Sequence, residues 1–279
     1  LSNSIKLDGD YNNFTLSLKN MNASDIEYPS MIYDGPFADS QTKRQVKGLN
    51  EQKVDKETAQ NNLSKLVNVA PEKLVYKSEN KGRIECFNFE WQDASGYTFF
   101  AQMTQKGGRL LSLNSQKDRS GNKINLQEAQ TIAKQFLAKN GMDDVECVWY
   151  DTIEGNMYLN YAPVQNGVIL YPDLVKLKID LADGMVLGFE ATSYFTNHTD
   201  RTLGNFAVTK QQAEEQIDSQ YKIQTTKKAL APIDYAEVLC WEVKANYSQS
   251  TYYFYIDAQS GQMVNVLKVV KTNDGSKLM

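Results

Sequence analysis

The sequence predicts an α+β protein made of three tandem modules, each consisting of one helix packed on a small antiparallel β-sheet. Two observations carry this prediction: a helix-start signature that occurs three times, and a strand–turn–strand pattern that follows each predicted helix. A constant spacing also relates landmarks of the first and third copies, which indicates internal repetition along the 279 residues.

Each predicted helix begins at a capping residue that follows an apolar residue and precedes an alanine by four positions. The cap side chain can accept a hydrogen bond from a free N–H group of the first helical turn. The three signatures are Val54-Asp55…Ala59, Ile124-Asn125…Ala129 and Val208-Thr209…Ala213. The third helix carries fewer apolar residues, namely Ala213, Ile217 and Tyr221. A one-sided apolar face predicts packing against the strands that follow.

An offset of 154 residues aligns the first copy with the third. It relates Val54 to Val208, Ala59 to Ala213, Cys86 to Cys240, Phe100 to Phe254 and Gly107 to Gly261. Each copy is predicted to end in a hairpin whose turn has the form Asp-x-x-x-Gly, as at Asp180/Gly184 and Asp257/Gly261. In the first copy, this alignment puts Met103 in the place of the aspartate.

The repeats divide the chain into a non-repeated segment and three modules. The segment at 1–50 is expected to pack on the first module, and the modules occupy 51–117, 118–200 and 201–279. Polar stretches at 114–123 and 196–207 are predicted to be connectors between copies. The second copy is longer than the others, and its extra residues are expected between Gly155 and Asp173.

Composition narrows the class of partner. Thirty basic and 34 acidic residues give a net charge of −4, and no basic stripe is present, so we predict no nucleic-acid partner. No apolar run is long enough to span a bilayer. Because the chain begins at Leu1 and not at a methionine, we expect it to be a portion or a processed form of a longer protein.

Candidate reactive residues are few. Cys86, Cys147 and Cys240 each lie in an apolar stretch, which favours buried thiols over redox or metal roles. The single histidine, His198, has Ser193 and Asp200 nearby, but it lies in a predicted polar connector without a nucleophile-elbow motif. We therefore predict that the protein is not an enzyme and has no catalytic, cofactor-binding or metal-ligating residue. No sequence pattern identifies the partner-binding residues.

Two alternatives stay open in the sequence. Pairs of carboxylates suffice for glycoside hydrolysis, although Asp143-Asp144 and Glu214-Glu215 are typical of loop and helix-surface charge. The tyrosines of the third sheet, Tyr247, Tyr253 and Tyr255, are either a face that contacts peptidoglycan or half-buried side chains with their hydroxyls in water. We favour the second interpretation of the tyrosines.

Two motifs resemble known families. The stretch from Tyr255-Ile256-Asp257-Ala258 through Gly261 is similar to the hairpin of PepSY modules, which resemble parts of secreted-protease propeptides. The run YPSMIYDGPF at 28–37, followed by three such modules, resembles the C-terminal region of the YpeB family of spore germination proteins. The resemblance covers essentially the whole chain.

The resemblance implies a non-catalytic regulator of germination in an endospore-forming bacterium, located outside the cytoplasm in the region of the spore inner membrane and cortex. It implies one partner, the cortex-lytic peptidoglycan hydrolase SleB, which the protein would localise, stabilise or hold inactive. It also implies a membrane anchor upstream that this chain lacks. A propeptide-like inhibitor of a secreted protease and, less favoured, a carboxylate-based glycan hydrolase are the alternative functions.

Overall fold

The structure, a computed structural model, describes residues 46–115, 121–234, 236–272 and 275–278. The run at 28–37 and nearly all of the predicted segment at 1–50 lie outside the described residues. The described residues form four helices, α1 (Lys56–Val67), α2 (Leu126–Lys139), α3 (Thr192–Asn197) and α4 (Lys210–Glu214), and 3₁₀ turns lie at Pro71–Lys73 and Tyr171–Asp173.

Strands contain more of the described residues than helices do, and both kinds of element are present, which confirms the predicted α+β class. The strands of the first module are β1 (Val75–Asn80), β2 (Cys86–Gln92), β3 (Thr98–Thr104) and β4 (Leu110–Ser115). Those of the second are β5 (Val145–Ile153), β6 (Asn156–Gln165), β7 (Val168–Leu170), β8 (Val175–Asp180) and β9 (Val186–Glu190). Those of the third are β10 (Lys222–Ile233), β11 (Ala236–Tyr247), β12 (Ser250–Asp257), β13 (Met263–Thr272) and β14 (Gly275–Leu278).

The three predicted helix starts are confirmed. The side chains of Asp55, Asn125 and Thr209 each accept a hydrogen bond from a backbone N–H three residues further on. The alanine of each signature is fully buried. The third helix is shorter than predicted, because α4 ends at Glu214 and Ile217 is buried beyond its end.

One backbone contact recurs in all three modules and fixes each helix to its hairpin. The residue before the cap donates its N–H to a carbonyl oxygen in the hairpin turn. The pairs are Val54–Gln105 at 2.8 Å, Ile124–Leu181 at 3.0 Å and Val208–Ala258 at 3.0 Å. Gln105, Leu181 and Ala258 therefore occupy equivalent positions, and this equivalence places all three hairpins in one common frame.

That equivalence corrects the sequence alignment of the first hairpin. Thr104 and Gly108, not Met103 and Gly107, correspond to Asp257 and Gly261. The Thr104 hydroxyl takes over the turn-capping role, because it accepts the N–H of Arg109 at 3.0 Å. The turn between β2 and β3 is one residue longer than the turn between β11 and β12, so the offset of 154 holds through β2 and falls to 153 in β3.

The glycine of each turn lies against the residue before the helix cap. A Cβ at Gly108, where φ is +58°, would come within 3.0 Å of Val54 Cγ2. At Gly261, with φ of +72°, the corresponding distance to Val208 Cγ2 is 3.4 Å.

Phe100, aligned by sequence with Phe254, is half-buried outside the main core, whereas Phe254 belongs to the core that includes Ala213.

The first two modules form one antiparallel sheet of eight strands in the order β1-β2-β3-β4-β9-β8-β6-β5. They join through their last strands, where Leu113 pairs with Phe189. Apolar residues of α1 and α2 belong to a single hydrophobic core. The first and second modules therefore share one sheet and one core, and together they are called the fused pair.

The third module is attached differently. The predicted extra segment of the second module, between Gly155 and Asp173, contains β7, which confirms that expectation. β7 pairs in parallel with β10 over Val168–Leu170. A second hydrophobic core contains Tyr253 and Tyr255 of the third module, and Trp149 of β5 packs against this core. The junction of the second and third modules is thus built from an insertion that the other modules lack.

Candidate functional site

A cleft of about 310 Å³ opens at the junction of the second and third modules. One wall comes from β5 of the second module and the other from β10, β11 and β12 of the third. Its charged and aromatic lining includes Glu146, Trp149, Tyr150, Lys227, Glu242 and Tyr253. Glu146 and Lys227 form an ion pair across the cleft.

Glu242 is the buried acid of this cleft. Its Oε2 accepts hydrogen bonds from the hydroxyl of Tyr171 at 2.5 Å and from the hydroxyl of Tyr255 at 3.0 Å. Burial raises the pKa of Glu242, while the two tyrosine hydrogen bonds act in the opposite direction. Burial also raises the pKa of both tyrosines well above 10.0, so each stays a neutral donor. The arrangement joins Tyr171 of the second module to two strands of the third.

A second buried acid, Asp173, ties the same junction together. Arg201 binds it through two hydrogen bonds of 2.8 and 2.7 Å, and also binds Glu237 of β11 at 3.0 Å. His198 Nδ1 lies 2.8 Å from Asp173 Oδ2. Although burial opposes it, the hydrogen bonds to Asp173 and Glu237 raise the pKa of Arg201, which keeps the guanidinium charged.

The structure does not assemble a triad around His198. Its hydrogen-bond partner among the described residues is Asp173, 25 residues earlier, and neither Asp200 nor Ser193. Its ring stacks on Tyr194 at 4.4 Å. The predicted polar connector at 196–207 is wrong at its start, because α3 runs to Asn197 and Thr196 and Asn197 are buried. His198 is therefore anchored on an ordered element.

The cysteines follow the prediction in two positions of three. Cys86 and Cys240 are buried, and Cys147 is half-buried. Burial raises the pKa of Cys86 to about 12 and also raises that of Cys147, so both are protonated near neutral pH. Within the described ranges, no three His, Cys, Asp or Glu side chains are placed to hold a metal ion.

The tyrosine prediction is wrong for two of its three residues. Tyr253 and Tyr255 are buried, because residues of β5 and β7 cover that face of the third sheet, whereas Tyr247 is exposed. Sequence reasoning also missed Glu242, although one signal was present. An acid flanked by Trp241 and Val243 within an apolar strand is a candidate for burial with hydrogen-bond partners.

Comparisons with known proteins agree with this architecture. Residues 15–204 match the family model described as YpeB sporulation, PepSY1 and PepSY2 domains. Residues 207–267 match the model described as peptidase propeptide and YPEB domain. The chain belongs to the YpeB family of sporulation proteins. The three helix-and-sheet units of the structure fit PepSY modules, and the resemblance inferred from the sequence is confirmed.

Relatives in this family come from endospore-forming bacteria. The chain is 31% identical over 202 residues to sporulation protein YpeB of Bacillus subtilis strain 168, covering 70% of this chain and 44% of the relative. It is 26% identical over 250 residues to sporulation protein YpeB of Halalkalibacterium halodurans, covering 88% of this chain and 55% of the relative. The chain thus spans about half the length of these two YpeB relatives.

A solved structure shares the fold. The Bacillus megaterium YpeB C-terminal domain superimposes with a TM-score of 0.71 at 25% identity, covering 78% of this chain and 98% of that one. Among the described helices of this YpeB-family chain, none has the length and apolar character needed to cross a membrane.

Proposed function

We propose that this chain is a non-catalytic regulator of spore germination that binds the cortex-lytic peptidoglycan hydrolase SleB and localises, stabilises or inhibits it. We further propose that it works outside the cytoplasm, at the inner membrane and cortex of the spore. Membership of the YpeB family along the whole matched length supports both parts.

The proposal that the protein is non-catalytic rests on the hydrogen bonds that its buried acids accept. Three carboxylates of the described residues are buried: Asp173, Asp180 and Glu242. Each accepts hydrogen bonds from the protein itself, from Arg201, from the backbone N–H of Ala182 and from two tyrosines respectively. Acids held in this way stabilise module junctions and turns, because the chain itself supplies their hydrogen-bond donors.

Strand edges offer a physical route for binding a protein partner. An open edge can take up a strand from another chain, with main-chain hydrogen bonds supplying affinity. The edges of β4 and β9 are occupied by one another, and those of β7 and β10 likewise. Among the described residues, β1 pairs with β2 alone, and its Val75 is 52% exposed. We therefore expect the protein partner to bind at an outer strand edge, in the first or the third module.

Calorimetric titration of purified SleB into this chain, with cortex hydrolysis measured alongside, tests the proposal. Binding with reduced hydrolysis identifies an inhibitor. Binding with full hydrolysis and a longer lifetime of SleB at elevated temperature identifies a stabiliser. No heat of binding at micromolar concentrations would contradict the proposal for this part of the protein.

Matched edge variants locate the partner. Val75→Asp changes the β1 edge and Val266→Asp changes the edge of β13, and both valines are exposed, so neither change disturbs a core. A loss of SleB affinity in one variant only identifies the module that binds. Equal affinity in both variants would contradict strand addition at these edges.

The alternative function is a carboxylate-based glycan hydrolase. In that case Glu146 and Glu242 would be the catalytic pair, since both line the cleft. A carboxylate mechanism requires both acids, so Glu242→Gln would abolish any release of fragments from purified cortex peptidoglycan. Our proposal predicts no release by either protein. Release by the original chain that the glutamine variant lacks would establish the alternative.

A further inference from the structure

The last strands of the three modules, β4, β9 and β13, occupy equivalent positions. The first residue of each pairs with a strand residue just before the turn: Leu110 with Met103, Val186 with Ile179, and Met263 with Ile256. Counting three residues on from each of these gives Leu113, Phe189 and Val266. These three side chains therefore mark the same place in three copies of one module.

In the first two modules, this strand is self-complementary. Leu113 pairs with Phe189, and its neighbours pair crosswise, Ser112 with Glu190 and Asn114 with Gly188. Equivalent residues meeting in an antiparallel ladder define a local two-fold axis, which is the geometry of an isologous interface. The chain thus contains an internal dimer of modules, formed edge to edge through equivalent strands.

In the third module, the described residues supply no strand partner at the equivalent positions, and the N–H of Val266 donates instead to Oδ1 of its neighbour Asn265 at 2.8 Å. β14 pairs with β13 only from Val269 to Thr272, so the edge of 263–268 has no strand beside it among the described residues. The faces of the strands differ as well: Leu113 is 2% exposed and Phe189 1%, both in the core that α1 and α2 share, whereas Val266 is 41% exposed. Met263, at the start of the same edge, is 42% exposed.

We propose that two copies of this chain pair through their β13 edges, in the antiparallel register that joins β4 to β9. Val266 then lies opposite Val266 of the second copy, and Asn265 lies opposite Leu267. The three-residue ladder seen between β4 and β9 fits within the stretch that β14 leaves open. Lys268 falls opposite Val264 and not opposite its own copy, so the register brings no like charges together.

The interface is small, so the association is weak and depends on concentration. Sedimentation velocity of the full 279-residue chain over a range of concentrations measures it directly. We expect the original chain to shift from monomer to dimer with increasing concentration. Val266→Glu places two carboxylates face to face across the two-fold axis and raises the dissociation constant about tenfold or more.

Val75→Glu is the matched control, because it adds the same charge at an exposed valine on an edge strand of the first module. It is expected to associate like the original chain, and circular dichroism checks that both variants are folded. A chain that stays monomeric at every concentration would overturn the proposal. Equal weakening by both glutamate variants, or by neither, would also overturn it.

Cross-linking tests the register independently of affinity. Opposed residues in an antiparallel pair bring their Cβ atoms to about 4.5–5.5 Å, close to the range of a disulfide. Val266→Cys should therefore give a covalent dimer on mild oxidation, whereas Val75→Cys should not. Cross-linking at Val75 equal to that at Val266 would show that contact is random and would overturn the inference.

Discussion

The fused pair of modules one and two differs from module three in what its last strand touches. In the pair, β4 and β9 form a ladder with each other, and the helices share one core. In the third module, the equivalent β13 is open along 263–268 among the described residues, and the module is held by β7 and by buried acids at its junction. One module design thus gives both a permanent internal interface and an available edge.

The largest effect is expected at the junction that holds the third module. Arg201→Met leaves the fully buried Asp173 without its bidentate partner, which should cost about 3–5 kcal/mol of unfolding free energy. Urea unfolding should show the third module separating from the fused pair at lower denaturant. Lys210→Met, which removes only an exposed pair with Glu214, should change stability by less than about 0.5 kcal/mol. A small, equal effect of both changes would refute this role of Arg201.

The second-largest loss of unfolding free energy is expected at Leu113, and the equivalent residue of the third module, Val266, serves for comparison. Leu113→Ala removes a buried side chain at the centre of the β4–β9 pairing and should cost about 2–5 kcal/mol. Val266→Ala, measured where the chain is monomeric, should fall within about 0.5 kcal/mol because its side chain is already exposed. Similar costs at both sites, measured by chemical denaturation, would show that the two edges are not in different states.

Glu242 gives the junction of the second and third modules a pH dependence of its own. Burial raises its pKa above the ordinary value of 4.5, so the folded state binds this proton more tightly than the unfolded state. The stability it contributes is present at low pH and is lost as pH rises through the folded-state pKa. Relative to Glu242→Gln, the original chain should therefore lose stability as pH rises. The same dependence of stability on pH in the two proteins would contradict this role of Glu242.

The smallest effect concerns the short helix of the third module. Thr209 caps α4 by accepting the N–H of Gln212, so Thr209→Ala should cost about 1 kcal/mol. Gln211→Ala, on the exposed side of the same helix, should stay within about 0.5 kcal/mol. Thermal unfolding of the two variants separates the cap from general helix propensity. Equal shifts in midpoint would argue against the cap.

Local signals made most of the fold predictable. Caps at Asp55, Asn125 and Thr209, and the turn glycines Gly184 and Gly261, act within a few residues and were identified correctly. The first hairpin is misaligned by the sequence because one extra residue lies in the turn between β2 and β3, and no gap in the repeat pattern indicates it. A single residue is enough to reverse which face each side chain takes.

Long-range partners could not be predicted. Leu113 and Val266 are both apolar residues in final strands, yet Leu113 is buried in the core that α1 and α2 share and Val266 is exposed. Glu242 and Tyr171 lie 71 residues apart, and their meeting depends on the insertion that carries β7. Sequence patterns describe each module well and the contacts between modules poorly.

Hydrogen exchange at two protein concentrations tests the central claim, that β13 presents the same edge that β4 and β9 bury. At low concentration, the edge-facing amides of 263–268 should exchange far faster than the amides that join β4 to β9. At high concentration, their exchange should slow as copies pair, while the β4–β9 amides stay unchanged. Amides of β13 as protected as those of β4 in dilute solution would contradict the claim, because another segment would then cover the edge.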